Sequence, residues 1–189
     1  LQLHKNLRVI KYDPNQAVAK KEMKYLQGAL LMQDADEILY EKMEWVTKGK
    51  FQIDEELVKF GLEAVQQIKS NAIAIVRRNS ANNLQLIGMG AGQPNRVVST
   101  KLAIEKCKEN LRRENNGENL EKYFQQQFSK CILVSDAFFP FPDSIEEAKN
   151  VGINTIVQPG GSIRDKKVIK RCDELGIGMI FTGTRHFKH

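Results

Sequence analysis

The sequence predicts an α/β protein with a mixed sheet: a β-hairpin, a helix, then a parallel β-α-β-α-β run. Three observations carry this reading. CILV (131–134), INTIV (153–157) and GMIF (178–181) are short apolar runs, the signature of parallel strands buried on both faces. SIEEAKNV (144–151) and RDKKVIKRCDEL (164–175) lie between them with helical patterning, which gives the alternation of a parallel sheet with crossover helices. Upstream, AIAIVR (72–77) and LQLIG (84–88) flank the turn-forming NSANN (79–83), and two β-rich runs around such a turn read as a hairpin.

The remaining elements follow in order. LRVIK (7–11), GALLMQ (28–33) and EWVT (44–47) are strand-like. DEELVKFGLEAVQQI (54–68) sets Leu57, Phe60, Gly61, Ala64, Val65 and Ile68 on one helical face, with Asp54 as N-cap. VSTKLAIEKCKENLRRE (98–114) is helical, NNGEN (115–119) is a polar loop, and a short helix spans 120–128. Internal repeats and low-complexity segments are absent from the sequence.

Composition narrows the class of protein. The chain has 189 residues, 41% hydrophobic and 28% charged, which is ordinary for a globular protein. It contains no apolar run near the ~20 residues that span a bilayer, and nothing at its start reads as a signal peptide. Three dispersed cysteines, without a C-x-x-C, suit a reducing compartment, so the expected location is cytoplasmic, away from the membrane. The net charge of +6 favours anionic partners such as nucleic acid, phosphorylated metabolites or polycarboxylates. No basic stripe interleaved with aromatics accompanies it, and nucleic acid is not the expected partner.

The chemistry-bearing segments are loops. In open parallel sheets ligands bind beyond the carboxyl ends of the strands, where SDAFFPFPD (135–143), QPGGS (158–162) and TGTRHFKH (182–189) all emerge. Pro140 and Pro142 forbid a helix interior, so three phenylalanines stand in a loop, either buried by neighbours or kept to hold something flat. GMGAG (88–92) lacks the third glycine of a dinucleotide fingerprint, since Gln93 stands there; its glycines serve a ligand's close approach or a tight bend. QPGGS precedes a helix and suits an anion, but Ser162 with Asp165 also reads as a capping pair, as does Asp143 with Glu146. His4, His186 and His189 offer no zinc set. Asn71, Arg96 and Arg185, each taken singly, are ordinary loop residues.

Taken together, KSNAI, IGMGAGQPNR, SDAFFPFPD, VQPGGSIRD and FTGTRHFKH resemble, in order and over essentially the whole chain, the transformylase part of the AICAR transformylase/IMP cyclohydrolase family of purine biosynthesis. The resemblance implies a cytidine-deaminase-like α/β fold without zinc. It implies that 1–50 are N-terminal strands continuing from an upstream half and that 51–189 form the transformylase subdomain. The implied reaction moves a formyl group from 10-formyltetrahydrofolate to the 5-amino group of AICAR, in a homodimer. By resemblance Asn71 is catalytic, and Asn71, Arg96, Phe138 and Arg185 bind AICAR, Arg185 near its phosphate. Val97, Pro140, Phe141, Asp143 and Ser162 match positions that approach the folate, and Ser70 and Asp136 match positions near a monovalent cation, potassium.

One departure matters. The family's Lys-His proton-transfer unit, in K-H-x-x-P-x-G, is absent from these 189 residues, where His4-Lys5 runs in the reverse order. General acid–base catalysis has no candidate here, so the segment alone is expected to bind ligand weakly and not to turn over. The alternative is a non-catalytic relative that keeps a ribotide pocket for binding or regulation.

Overall fold

The computed structural model describes residue 13 and residues 21–49 and 52–188; the strand expected at 7–11, His4 and His189 lie outside them. The chain divides into two compact units, 1–37 and 38–189.

The described part of the first unit is a β-hairpin of β1 (Lys21–Leu26) and β2 (Ala29–Asp34). Leu26 pairs with Ala29, leaving Gln27–Gly28 as the turn. The register sets Met23 opposite Met32 and Tyr25 opposite Leu30, so one face is apolar, and Lys21 pairs with Asp34 at the open end. The sequence reading found β2 but not β1, whose lysines and glutamate mask a period-2 alternation.

The second unit holds β3 (Glu44–Trp45), α1 (Glu55–Gln67), β4 (Ile73–Arg78), β5 (Leu84–Gly90), α2 (Arg96–Glu114), α3 (Leu120–Phe128), β6 (Ile132–Ser135), α4 (Asp143–Val151), β7 (Thr155–Gln158), α5 (Asp165–Leu175) and β8 (Gly178–Phe181). The six-stranded sheet has the order β3-β8-β7-β6-β4-β5. β6, β7 and β8 run parallel, and β4 is antiparallel to both β5 and β6. This is the predicted mixed sheet, hairpin first and βαβαβ last.

Strand alternation explains why the apolar runs are continuous. Ile73, Ile75, Leu133, Ile156 and Met179 join one core cluster, with side chains of α2, α4 and α5. Ala74, Val76, Val134, Val157 and Ile180 join another, with Leu57, Val58, Leu62 and Val65 of α1. Both faces of the sheet are therefore covered. Asp54 caps α1, accepting from Leu57 N at 3.0 Å. The buried stripe of α1 includes Val58 and Leu62, while Phe60 and Ala64 are only partly buried, a small rotation from the expected face.

The glycines of GMGAG serve neither expected purpose alone. A Cβ on Gly90 would lie 2.0 Å from Ser99 O and one on Gly88 2.3 Å from Ala103 O. Their partner is the backbone of α2, which lies this close to β5 because these two positions carry no side chain. Only Gly92, at φ +64, makes a bend.

Candidate functional site at the carboxyl rim of the sheet

Topology brings the predicted segments to one edge. Ile73 pairs with Ser135 and Val76 with Ile132, so the start of β4 lies beside the end of β6. Gly90 pairs with Ile73, so β5 ends at the same edge. The segments before β4, after β5 and after each parallel strand therefore share a rim.

At its centre is a buried ion pair. Arg96 opens α2 behind its cap Asn95 and donates through Nη2 to Asp136 Oδ1 at 2.7 Å and through Nη1 to Phe138 O at 3.2 Å. Asp136 is 0% exposed and the Arg96 side chain 9%. Asp136 N donates to Ala72 O at 3.2 Å, and Asp136 O accepts from His186 N at 2.8 Å. Two buried atoms here, Arg96 Nε and Asp136 Oδ2, have no hydrogen-bond partner among the described residues.

Asn71 stands beside this pair, half-buried. Its Nδ2 donates to Gln93 O at 2.9 Å, and its carbonyl accepts from Ser99 Oγ at 2.7 Å. The amide is thus tied to the segment between β5 and α2, not used as a helix cap. The segment after β8 closes the far side: Ser70 N donates to Lys188 O at 2.8 Å, and Lys188 N donates to Ser70 Oγ at 3.1 Å. His186 is buried with Nε2 3.1 Å from Leu39 O, a core histidine. Among the described residues no group of three His, Cys, Asp or Glu could hold a metal ion.

The three phenylalanines divide between the two readings the sequence left open. Phe139 is buried in the core and its N–H donates to Gln158 Oε1 at 2.7 Å. Phe138 is half-buried at the rim. Phe141 is 50% exposed, with the Arg164 guanidinium 4.3 Å from its ring centre, a cation–π contact joining the loop after β6 to the loop after β7.

Of the two capping expectations, one needs correction and the other holds in half. Pro142 is the N-cap of α4, with no side-chain capping bond. Asp143 is the first helical residue and accepts from Ser144 N at 2.8 Å, while Glu146 pairs with Arg171 at 2.9 Å. Pro142 already has a helical backbone (φ −79, ψ −2), and this starts the helix one residue early. At α5 the acidic half of the expected pair forms: Asp165 Oδ2 accepts from Ser162 N at 3.1 Å and also from Gly161 N at 2.8 Å. Ser162 Oγ accepts from Arg164 N at 3.1 Å. The protein's own carboxylate fills the place that an anion was expected to take.

Arg96, Asp136 and Phe138 are thus bonded directly, and Ser70 and Asn71 adjoin them along the chain through Ala72, whose carbonyl accepts from Asp136 N. Val97 adjoins Arg96 in the first turn of α2; Pro140, Phe141, Asp143 and Ser162 follow along the rim. Arg185 is exposed, 5.4 Å over the ring of Phe187, and joins the neighbourhood only through its chain neighbour His186. A cleft of about 700 Å³ at the amino edge of the sheet, lined by Arg77, Arg113, Tyr123 and Lys130 among others, contains none of these residues. Sequence reasoning missed Gln93, Ser99 and Gln158; a polar residue closing an apolar strand was the available signal for Gln158.

Fold and rim define an α/β protein that presents a buried guanidinium–carboxylate pair and exposed aromatics where parallel-sheet proteins bind small ligands. The sequence profile of the AICARFT/IMPCHase bienzyme family matches residues 1–106, and the chain belongs to that family. It is 43% identical over 192 residues to the bifunctional purine biosynthesis protein PurH of Clostridioides difficile, covering 100% of this chain and 33% of that protein. The PurH proteins of Aquifex aeolicus, 43% identical over 186 residues, and Bacillus subtilis, 41% over 189, are each matched across 98% of this chain and 33% of theirs. The chain spans about a third of the length of these curated relatives.

Proposed function

We propose that this segment contributes the ligand-binding rim of a phosphoribosylaminoimidazolecarboxamide formyltransferase, the AICAR transformylase of purine biosynthesis. The observation that carries the proposal is the Arg96–Asp136 pair: a fixed guanidinium bonded to the carbonyl of Phe138, next to an amide, Asn71, held by Gln93. A planar guanidinium suits carboxamide and phosphate oxygens, and the rim aromatics suit flat heterocycles.

The AICAR amine is a weak nucleophile, its lone pair being delocalised into the ring. Transfer requires orienting the amine, removing its proton and stabilising the oxyanion formed on the formyl carbon. Asn71 does not titrate, so its part is to orient the amine or donate a hydrogen bond to the oxyanion. Arg96 and Phe138 hold the AICAR heterocycle, and Arg185 takes its phosphate. Val97, Pro140, Phe141, Asp143 and Ser162 receive the formyl-carrying folate, with Phe141 against the pterin. Potassium, if bound, would be held by Asp136, whose Oδ2 has no hydrogen-bond partner among the described residues, with Ser70 as the second residue, and would supply a positive charge beside that carboxylate. The proton-accepting Lys-His unit, the first half of the transformylase region and a second subunit complete the site.

The test is formyl transfer by the protein as naturally encoded, measured as loss of 10-formyltetrahydrofolate dependent on AICAR. Asn71→Ala is expected to lower kcat by on the order of a hundred- to a thousandfold, and residues 1–189 alone to show no turnover. A full chain that binds AICAR but transfers no formyl group would overturn the proposal in favour of a ribotide-binding relative.

A further inference from the structure

We infer that Gln158 is a positioning residue for the rim, setting Phe138 and Phe141 at ligand distance by clamping the backbone of the loop between them. The inference rests on the proposed formyl-transfer reading for its kinetic consequence, but not for its geometry.

Gln158 ends β7 and its side chain is 0% exposed. Nothing in a sheet interior calls for an amide there, because burying one without partners is costly. Here both ends are engaged: Oε1 accepts from Phe139 N at 2.7 Å, and Nε2 donates to Met179 Sδ at 3.0 Å. The Gln158 backbone is fixed independently, since its carbonyl accepts from Thr182 N at 3.0 Å and it pairs with Phe181 across the sheet. The amide is therefore a rigid bracket from β7 to the loop after β6.

The point it grips decides what the loop presents. Phe139 is the one ring of the three that enters the core; its N–H lies between the carbonyl of Phe138, which Arg96 holds, and the run to Phe141. Loop residues on either side are held by other bonds: Ser135 Oγ to Ala137 O at 2.7 Å and Ser144 N to Asp143 Oδ1 at 2.8 Å. Among the described contacts, the Gln158 amide is the one that satisfies the buried Phe139 N–H. Without it the donor is stranded and the Phe138–Phe139 peptide keeps only the Arg96 bond to its carbonyl, so that it tilts about that anchor and turns the flanking rings.

The experiment uses the protein as naturally encoded, with Gln158→Met, which keeps the volume and removes the acceptor, and Gln158→Glu, which keeps an acceptor. Amide hydrogen exchange of Phe139 is expected to be slow in the parent and faster by roughly ten- to a hundredfold in Gln158→Met, with β6 and β7 amides still protected. kcat/KM for AICAR and for the folate should both fall at least about tenfold, and Gln158→Glu should restore most of the loss at acid pH, where a protonated carboxyl accepts from Phe139 N–H and donates to Met179 Sδ. Fast Phe139 exchange in the parent, or a Gln158→Met enzyme within twofold of the parent, overturns the inference. If Gln158→Met does not fold, parent exchange and the Gln158→Glu kinetics decide in the same sense. A parent with slow Phe139 exchange and no formyl transfer overturns the proposed function but not the clamp.

Discussion

Arg96 and Asp136 are paired at 2.7 Å with the carboxylate wholly buried, and one polar atom on each remains without a hydrogen bond. Removing one partner of such a pair strands the other charge, at a cost of about 3–5 kcal/mol. Asp136→Ala and Arg96→Ala are each therefore expected to lower the melting temperature by on the order of 10 °C. The double variant Arg96→Met/Asp136→Leu should recover much of the stability, as apolar replacements of buried pairs often do. Scanning calorimetry of the three variants measures this; a double variant no better than Asp136→Ala would contradict the account.

The contact between β5 and α2 gives a second prediction. A methyl group at Gly90 would sit 2.0 Å from the Ser99 carbonyl and 2.8 Å from its Cα, all backbone, so relief requires moving the helix that carries Arg96. Gly90→Ala should cost at least the roughly 1–3 kcal/mol typical of overpacking and weaken AICAR binding as well. At Gly161 a Cβ meets nothing within 4 Å although φ is +91; Gly161→Ala meets only backbone strain, of order 1–3 kcal/mol, and should leave AICAR affinity near that of the parent. Urea titration paired with AICAR affinity separates the two.

These contacts show what the sequence could and could not reveal. Strand positions in the last third were legible because burial on both faces writes an uninterrupted apolar run: GMIF is β8 to the residue. The rim was legible because strand ends fix where loops emerge. Partnerships were not, since nothing local links Phe139 to Gln158 or Asn71 to Gln93. The two glycines of β5 looked like a loop motif because the helix backbone they accommodate begins several residues later in the chain. β1 was missed because exposed strands carry charges, and KEMKYL hides Met23 and Tyr25 among them.

Acid stability should report Asp54. Its carboxylate is held below the usual range, first by the hydrogen bond from Arg78, with a further contribution from Leu57 N at the head of α1. A folded value below the unfolded one, near 3.9, means a stabilising contribution fully present above about pH 4. That contribution is lost as pH falls through the folded value. Asp54→Asn keeps a capping side chain but not the charge. The parent should exceed the variant in stability at pH 7, and the gap should close below about pH 4. Urea midpoints of both proteins between pH 7 and pH 3 test the sign; a gap that widens on acidification would refute it.

The cysteines provide the last prediction. Cys107, Cys131 and Cys172 are free and buried. Burial pushes the Cys172 thiol up to about 12, with Asp173 adding to the effect. Cys107 is raised first by its hydrogen-bonded neighbour Cys131 and then by burial. Thiolate is the reactive form, so at pH 8 these two sites expose neither the anion nor a path to it. Alkylation of the folded protein at pH 8 is expected to leave Cys107 and Cys172 unmodified for as long as the core stays closed, and denaturant should release them together with global unfolding. Peptide mass mapping after timed iodoacetamide exposure follows each cysteine separately. Early labelling of Cys172, which lies in α5 behind β8, would mean that α5 opens independently of the sheet and that the segment carrying Arg164 is less fixed than its contact with Phe141 indicates.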